Sequence, residues 1–166
     1  MQLKSTKVAY FGVLTSLALI FSYVESLIPI QFGIPGIKLG LANLITIIAL
    51  FRMSEKEAYL ISVTRVILSG FMFGNLFAIL YSLAGSMLSI TMMIFFRKSE
   101  KFSIYGISMA GGVFHNVGQI IMAMLVIQST TIIGYLPVLL IAGLITGLVI
   151  GVISNEMLKR LYRFKL

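Results

Sequence analysis

The sequence predicts an all-α integral membrane protein with six transmembrane helices, on three properties of its composition. Hydrophobic residues make up 59% of the chain, charged residues only 11%, and the mean hydropathy is +1.06. A soluble domain needs more polar surface than this to cover its core, so the composition is typical of a polytopic membrane protein. At about 20 residues a crossing, 166 residues suffice for roughly six crossings, which predicts a single transmembrane domain over residues 1–166.

Six apolar segments can be assigned by their length and lack of charge. The first is too long for the core of a signal peptide and is followed by Pro29, so we interpret it as a retained span. The second rises only about 20 Å against roughly 30 Å of hydrocarbon, so it requires either a loop that dips into the membrane or shielding by its neighbours. The segments comprise residues 8–29, 39–51, 57–73, 75–96, 103–128 and 132–155.

The connections between the segments alternate in charge, and this alternation predicts the orientation of the chain. The positive-inside rule assigns the basic connections to the cytoplasm, so both termini are expected to be cytoplasmic. The opposite connections contain only Lys38. The basic set comprises Lys4, Lys7, Arg52, Lys56, Arg97, Lys98, Lys101, Lys159, Arg160, Arg163 and Lys165.

Several polar side chains lie inside the apolar segments, where each is costly. An ionised side chain at a helix centre costs roughly 2.5–3.5 kcal/mol on insertion scales, so such groups usually face a protein interior or a wet cavity. In the predicted orientation they all fall in the outer half of the membrane, contributed by five helices. We therefore expect an outward-facing substrate pocket. Its candidate residues are Glu25, Asn43, Arg65, Asn75, His115, Asn116 and Gln119, with Lys38 in the loop above them.

The walls of this pocket are expected to be aromatic, and a structural alternative has to be weighed beside the pocket. Arg65 and Glu25 could simply neutralise one another, while the amides join helices by hydrogen bonds of about 0.6 kcal/mol each. Convergence from five helices exceeds what pairing requires, which favours a ligand site that includes Arg65 or His115. The candidate wall residues are Tyr23, Phe32, Phe71, Phe73, Phe77, Tyr81 and Phe114.

The composition argues against several other functions. Cys and Asp are absent and His115 is the single histidine, so a metal site would lack its usual ligands, and no cofactor is expected. The chain has no glycine-rich nucleotide loop ending in Lys-Ser or Lys-Thr, so any ATP-driven step would come from partner subunits. The net charge of +8 fits anionic lipid headgroups better than nucleic acid, because it occurs on a membrane protein.

Small residues predict two packing surfaces, because helices in lipid associate where small side chains let their backbones approach. The sixth segment has glycines at four-residue spacing, which indicates a contact with another helix of the same chain. The first segment has a weaker pattern, which we interpret as a candidate docking surface for another subunit. The glycines are Gly143, Gly147 and Gly151, and the docking residues are Ala9, Gly12 and Ser16, preceded by Ser5.

Three runs of the sequence together resemble a known membrane family. They are Glu25-Ser26-Leu27-Ile28-Pro29, the run Pro35-Gly36-Ile37-Lys38-Leu39-Gly40-Leu41-Ala42-Asn43, and Gly111-Gly112 with His115-Asn116 and Gln119. Their combination resembles the heptaprenyl diphosphate synthase component I family, also called the Gx transporter family, over essentially the whole chain.

That family in turn looks like the substrate-binding S components of energy-coupling factor transporters. The resemblance implies a six-helix bundle in a bacterial plasma membrane, with an outward pocket closed by the loop between the first two spans. It also implies a small-residue surface on the first span that meets a transmembrane coupling subunit with its ATPases. The typical docking pattern is two alanines four apart, and the nearest equivalents here are Gly12 with Ser16, or Ser5 with Ala9.

Two functions follow, and neither makes the chain itself a catalyst. The first is a substrate-binding membrane subunit for uptake of a small vitamin- or quinone-precursor-like solute. Arg65 would contact an anion, and His115 and Gln119 would form hydrogen bonds. Asn43 and Asn75 would be donors at the rim, and Glu25 would be the counter-charge or a direct ligand contact. The second is the accessory component I of a heptaprenyl diphosphate synthase in isoprenoid or menaquinone side-chain synthesis. Without Asp, the chain cannot supply the aspartate-rich magnesium-diphosphate site of such a synthase.

Overall fold

The computed structural model describes residues 2–27 and 40–162, with the side chains described from residue 5 onward, and every regular element in this part of the chain is helical. The all-α prediction is therefore confirmed. The elements are α1 (Gln2–Leu27), α2 (Leu41–Arg52), α3 (Glu55–Phe73), α4 (Leu76–Lys98), α5 (Ile104–Ile127), a 3₁₀ helix (Thr131–Tyr135) and α6 (Leu136–Leu161).

Each α-helix coincides with one predicted segment, and the largest differences lie in the first and last helices. Helix α1 begins at Gln2 rather than at residue 8, and α6 continues to Leu161 rather than ending at residue 155. Hydropathy reports where the apolar stretch ends, whereas the hydrogen-bonded backbone continues through polar residues such as Lys7 and Lys159. These two helices are therefore longer than the segments that lipid could cover.

Four stretches of helix are long and apolar enough to cross a membrane: Ser5–Leu27, Leu76–Lys98, Ile104–Ile127 and Thr131–Leu161. Helices α2 and α3 are not among these stretches. Helix α2 has only 12 residues, and the 19 residues of α3 include Glu55, Lys56, Glu57 and Arg65. A membrane protein is thus supported, while the count of six crossings stays a prediction.

The lateral surface of the bundle is apolar, as contact with lipid requires. On α6, the side chains of Ile141, Ile145, Val149 and Val152 are each more than half exposed. A monomeric soluble protein rarely leaves so long an apolar stripe uncovered. The exposed faces therefore fit a hydrocarbon environment.

Helix α2 is the centre of the bundle. Eight of its residues, Ala42 and Leu44 to Leu50, are buried, and α2 contacts α1, α3 and α6. Its buried side chains share one core with Leu14 of α1, Ile61 of α3 and Ile90 of α4. A helix too short to span the bilayer is thus shielded by its neighbours, so its backbone ends do not meet lipid. The alternative of a dipping loop concerns residues 30–38, which lie outside the described residues.

Glycines bring α5 and α6 into backbone contact. A Cβ atom added to Gly112 would lie 2.3 Å from the carbonyl oxygen of Gly143, and one added to Gly147 would lie 2.7 Å from the carbonyl oxygen of Ser108. The Ser108 hydroxyl donates a 2.6 Å hydrogen bond to the carbonyl oxygen of Gly147. The glycine stripe of the sixth segment, including Gly151, therefore packs against α5 within the same chain, as its spacing indicates.

Basic residues from several helices lie at one end of the bundle. Lys7 at the start of α1 forms an ion pair with Glu57 of α3 at 3.2 Å, and Lys98 at the end of α4 pairs with Glu55 at 3.1 Å. At the end of α2, the guanidinium of Arg52 lies 4.9 Å from the ring centroid of Tyr162. The charge alternation of the connections thus corresponds to one basic end of the structure, and the assignment of that end to the cytoplasm stays a prediction.

The α5–α6 contact can be tested by adding one methyl group. Gly112→Ala should lower the free energy of unfolding by about 1–3 kcal/mol, because the new Cβ overlaps the Gly143 carbonyl in a packed interface. Gly12→Ala on α1 is the matched control, since a Cβ added there would meet no atom within 4 Å. It should be neutral or stabilising by up to about 1 kcal/mol from helix propensity. Thermal unfolding of the purified protein in detergent measures both, and equal effects would contradict the packing argument.

Candidate functional site

A cavity of about 250 Å³ lies toward the end of the bundle opposite the basic end. It is bounded by the last turns of α1, the first turns of α2 and α4, the second half of α3, and the middle of α5 and α6. The lining residues are Ser22, Glu25, Ser26, Gly40, Ala42, Asn43, Arg65, Val66, Ser69, Gly70, Phe73, Gly74, Ala78, Ser82, Gly112, His115, Asn116 and Thr146.

The shortness of α2 explains why a cavity forms here. At 1.5 Å a residue, the 12 residues of α2 rise about 18 Å, whereas the 24 residues of α5 rise about 36 Å. The C-terminal end of α2 packs into the core, so its N-terminal end reaches only part of the way along the longer helices. Among the described residues, the cavity lies beyond Leu41 and between the surrounding helices.

Arg65 is the buried cation of this cavity, with only 8% of its surface exposed. Its Nη1 and Nη2 atoms donate to the hydroxyls of Ser22 and Ser86 at 3.5 and 3.4 Å, which are long distances for hydrogen bonds. Its Nε is buried and makes no hydrogen bond with any described residue. Since a guanidinium offers five N–H donors, most of its hydrogen-bonding capacity is unused by the described chain.

Glu25 is the carboxylate of the cavity, and it is held by backbone rather than by Arg65. Its Oε1 accepts a hydrogen bond from the backbone N–H of Gly40, the residue before α2. Gly40 has a φ of 75°, in the left-handed region that favours glycine. Between Glu25 and Arg65 the described structure has no ion pair within 4.0 Å, although the two charges interact electrostatically. Direct neutralisation of the two side chains is therefore not what the structure shows.

The structure brings Asn43, His115 and Asn116 to the same cavity as Glu25 and Arg65. Asn116 is fixed there, because its Nδ2 donates a 2.6 Å hydrogen bond to the carbonyl oxygen of Leu139 on α6. Polar groups from α1, α2, α3 and α5 thus converge on one space. The sequence predicts convergence from five helices, whereas the candidate residues that line the cavity come from these four.

Two of the candidate residues do not line the cavity, and a third cannot be placed. Asn75 is exposed and caps α4, where its side-chain oxygen accepts the Ala78 N–H at 2.8 Å, because the first N–H groups of a helix lack partners. Gln119 lies one turn beyond His115 and packs toward Gly85 of α4. Lys38 lies outside the described residues.

The aromatic walls expected from the sequence are mostly absent from the cavity. Among the described aromatic residues only Phe73 lines it, whereas Phe71 is 78% exposed and Phe77 is 55% exposed. On α3 the lining positions include Arg65, Ser69 and Phe73 at four-residue spacing, so Phe71 points to the other side of the helix. Of the remaining candidates, Tyr23, Tyr81 and Phe114 are not among the lining residues, and Phe32 lies outside the described residues.

Hydroxyl groups are the functional feature that sequence reasoning missed. Serine and threonine are common in membrane helices and cost little there, so they do not stand out as a charge does. Their spacing relative to the charged residues was the available signal, since positions three or four apart share a helix face. The hydroxyl residues that line the cavity or contact Arg65 are Ser22, Ser26, Ser69, Ser82, Ser86 and Thr146.

The candidate docking residues lie away from the cavity, toward the basic end of α1. Ala9, Gly12 and Ser16 are exposed, and no atom lies within 4 Å of a Cβ added to Gly12. Their face of α1 is therefore open to another molecule. Within the described ranges there is also no group of three or more His, Cys, Asp or Glu side chains that could hold a metal ion.

A family model described as heptaprenyl diphosphate synthase component I matches residues 14–157, a range that includes every residue lining the cavity. The chain belongs to the heptaprenyl diphosphate synthase component I family. Component I of that enzyme is an accessory subunit, and nothing in the described residues shows a catalytic activity. The family resemblance drawn from the sequence is thereby confirmed. Comparison with curated proteins and with solved structures finds no match.

The lack of a described ion pair at Arg65 predicts how the protein tolerates loss of this charge. Breaking a buried ion pair on one side costs about 3–5 kcal/mol, whereas an apolar replacement that leaves no stranded charge is often neutral or stabilising. Because Glu25 accepts the Gly40 N–H and forms no ion pair with Arg65, Arg65→Met should lower the free energy of unfolding by less than this. A loss of about 3–5 kcal/mol would show that Arg65 has a structural partner.

Arg97→Met is the matched control for this measurement. Nη1 of Arg97 donates a 2.6 Å hydrogen bond to the carbonyl oxygen of Leu50, and its guanidinium lies 5.1 Å from the ring centroid of Phe51. Removing this charged hydrogen bond should cost about 1.5–3 kcal/mol. Thermal or denaturant unfolding of both variants in the same detergent gives the comparison.

Proposed function

We propose that this chain is a membrane-embedded substrate-binding subunit, like the S components of energy-coupling factor transporters, that captures a small solute for uptake. The observation that carries the proposal is the buried guanidinium of Arg65, which faces a cavity and makes no ion pair with a described carboxylate. A charge kept in an apolar protein interior marks a substrate path more often than a structural contact. The cavity combines this charge with a small set of fixed polar groups, as ligand sites do.

The size of the cavity limits the solute. A cavity of about 250 Å³ lies just below the range of roughly 300–1,000 Å³ that is typical of small-molecule sites, which favours a small solute. In this proposal Arg65 contacts an anionic group, Glu25 supplies a counter-charge, and Asn43, His115 and Asn116 form hydrogen bonds. A heptaprenyl chain is far larger than the cavity.

The energy for uptake would come from other subunits. The sequence has no nucleotide-binding loop, and the open face of α1 with Ala9, Gly12 and Ser16 offers a place for a transmembrane coupling subunit. In this arrangement the basic end faces the cytoplasm of a bacterial cell, and the cavity faces outward.

The second candidate function rests on the family description itself. As an accessory subunit of a heptaprenyl diphosphate synthase, the chain would recruit a soluble enzyme to the membrane through its basic end. Arg52 and Arg97 are already engaged with Tyr162 and Leu50 within the bundle, whereas Lys56 and Lys98 are exposed. This function therefore depends on the exposed lysines and not on Arg65.

Ligand-dependent thermal stabilisation of the purified protein separates the two functions. Vitamins, quinone precursors and prenyl diphosphates are screened, and we expect a small vitamin- or quinone-precursor-like compound to raise the midpoint of unfolding. The shift should disappear in Arg65→Met and persist in Arg160→Met, a matched arginine at the basic end that pairs with Glu156. Absence of any shift from the whole screen, together with tight binding of a soluble prenyl synthase, would refute the uptake function.

If a coupling subunit docks on α1, a large side chain at the exposed Gly12 should block it. Gly12→Leu should remove a coupling subunit and its ATPases from the material that co-purifies from native membranes, while leaving ligand stabilisation intact. Gly134→Leu is the matched control, because a Cβ there also meets no atom within 4 Å but lies at the other end of the bundle. Mass spectrometry identifies what is lost, and unchanged recovery of ATPases with Gly12→Leu would rule out this surface.

A further inference from the structure

The charges of the cavity are separated and balanced, and this arrangement restricts the ligand further than its size does. Arg65 contributes one positive charge and Glu25 one negative charge, and the other described lining residues include no lysine, arginine, aspartate or glutamate. The two side chains form no ion pair within 4.0 Å. Each charge therefore has capacity left for a group on a ligand.

Both side chains are held in place by contacts that leave this capacity open. The guanidinium of Arg65 is held by two hydroxyls at 3.4 and 3.5 Å, and its Nε has no described partner. A carboxylate can accept two parallel N–H bonds from such a fork. The carboxylate of Glu25 accepts one described hydrogen bond, at Oε1 from the N–H of Gly40. Its second oxygen accepts no hydrogen bond from a described residue.

Net charge decides which ligand this pair favours. Because the two charges cancel among the described lining residues, a ligand with one negative charge would leave a net negative charge there, and a ligand with one positive charge would leave a net positive one. A diphosphate would be worse, since it brings at least two negative charges to one guanidinium. A ligand with one charge of each sign satisfies both side chains and keeps the site neutral.

We propose that the cavity binds a small zwitterion, with its carboxylate on Arg65 and its protonated amine or quaternary nitrogen at Glu25. This inference rests on the proposed function and names the class of its solute. Free amino acids and betaines have this chemistry at the size that about 250 Å³ admits.

The test compares each probe with derivatives in which one of its charges has been removed. Purified full-length chain in lipid nanodiscs is titrated with common amino acids and betaines, with the carboxamide of each, and with the N-acetyl form of each amino acid. We expect at least one zwitterion to bind, and its charge-blocked forms to bind about tenfold to hundredfold more weakly, as the loss of a charged hydrogen bond predicts. Inorganic diphosphate and isopentenyl diphosphate should bind no better than the blocked forms.

Variants then assign each charge to its side chain. Glu25→Gln should reduce the preference for the free amine over the N-acetyl form, and Arg65→Gln should reduce the preference for the free acid over the carboxamide. Glu156→Gln and Arg160→Gln are the controls at the basic end, where these two residues pair with each other, and should change neither preference. If a variant fails to fold, the comparison of probes on the unaltered chain still decides the question.

Two results would overturn the inference, and they differ from failure of the uptake function. If an N-acetyl or carboxamide form binds as tightly as its parent compound, the site recognises only one of the two charges. A ligand from the wider screen that has no charge, or charge of one sign only, would leave a binding subunit but not a zwitterion site. No binding by any probe of any class would remove both proposals together.

Discussion

The enclosure of the short helix α2 is the constraint on which the rest of the structure depends. A helix of 12 residues cannot carry its polar ends to the two faces of a bilayer, and lipid offers its backbone no hydrogen bonds. The bundle resolves this by surrounding α2 with α1, α3 and α6 and by burying eight of its residues. Among the described residues, the cavity lies beyond the N-terminal end of α2, where the longer helices continue. The short length of α2 thus bears on both the core and the cavity.

On another side of the cavity, glycines bring α5 and α6 into backbone contact. Close contact between α5 and α6 through Gly112, Gly143 and Gly147 fixes two of the walls, and Asn116 adds a hydrogen bond to Leu139 in the same interface. Backbone contacts of this kind leave little freedom for the walls to shift. The described walls of the cavity are consequently built mainly from helices of the bundle. A preformed space lowers the cost of ordering a site when a ligand binds.

The buried charge of Arg65 bears on both proposed functions. A buried guanidinium supported by serine hydroxyls rather than by a carboxylate is poorly compensated within the described chain. Under the proposed binding function, an anionic group of a ligand would compensate this charge. The accessory function would use the basic end of the bundle, whereas the proposed binding function would use the cavity toward the opposite end.

Composition and hydropathy by themselves determined the membrane class, the six helices, their order and the gathering of Glu25, Asn43, Arg65, His115 and Asn116, because burial in lipid restricts where polar residues can be kept. The resemblance of three runs of residues gave the family, and all three lie within residues 14–157 that the family model matches. The tertiary structure alone decided which neighbours each side chain meets. In the tertiary structure, Glu25 accepts a hydrogen bond from the Gly40 N–H and forms no ion pair with Arg65. Phe71 and Phe77 are exposed, and Asn75 caps α4. The reason is rotational: hydropathy gives a residue's depth along a helix, but the face that it presents depends on how the helices pack.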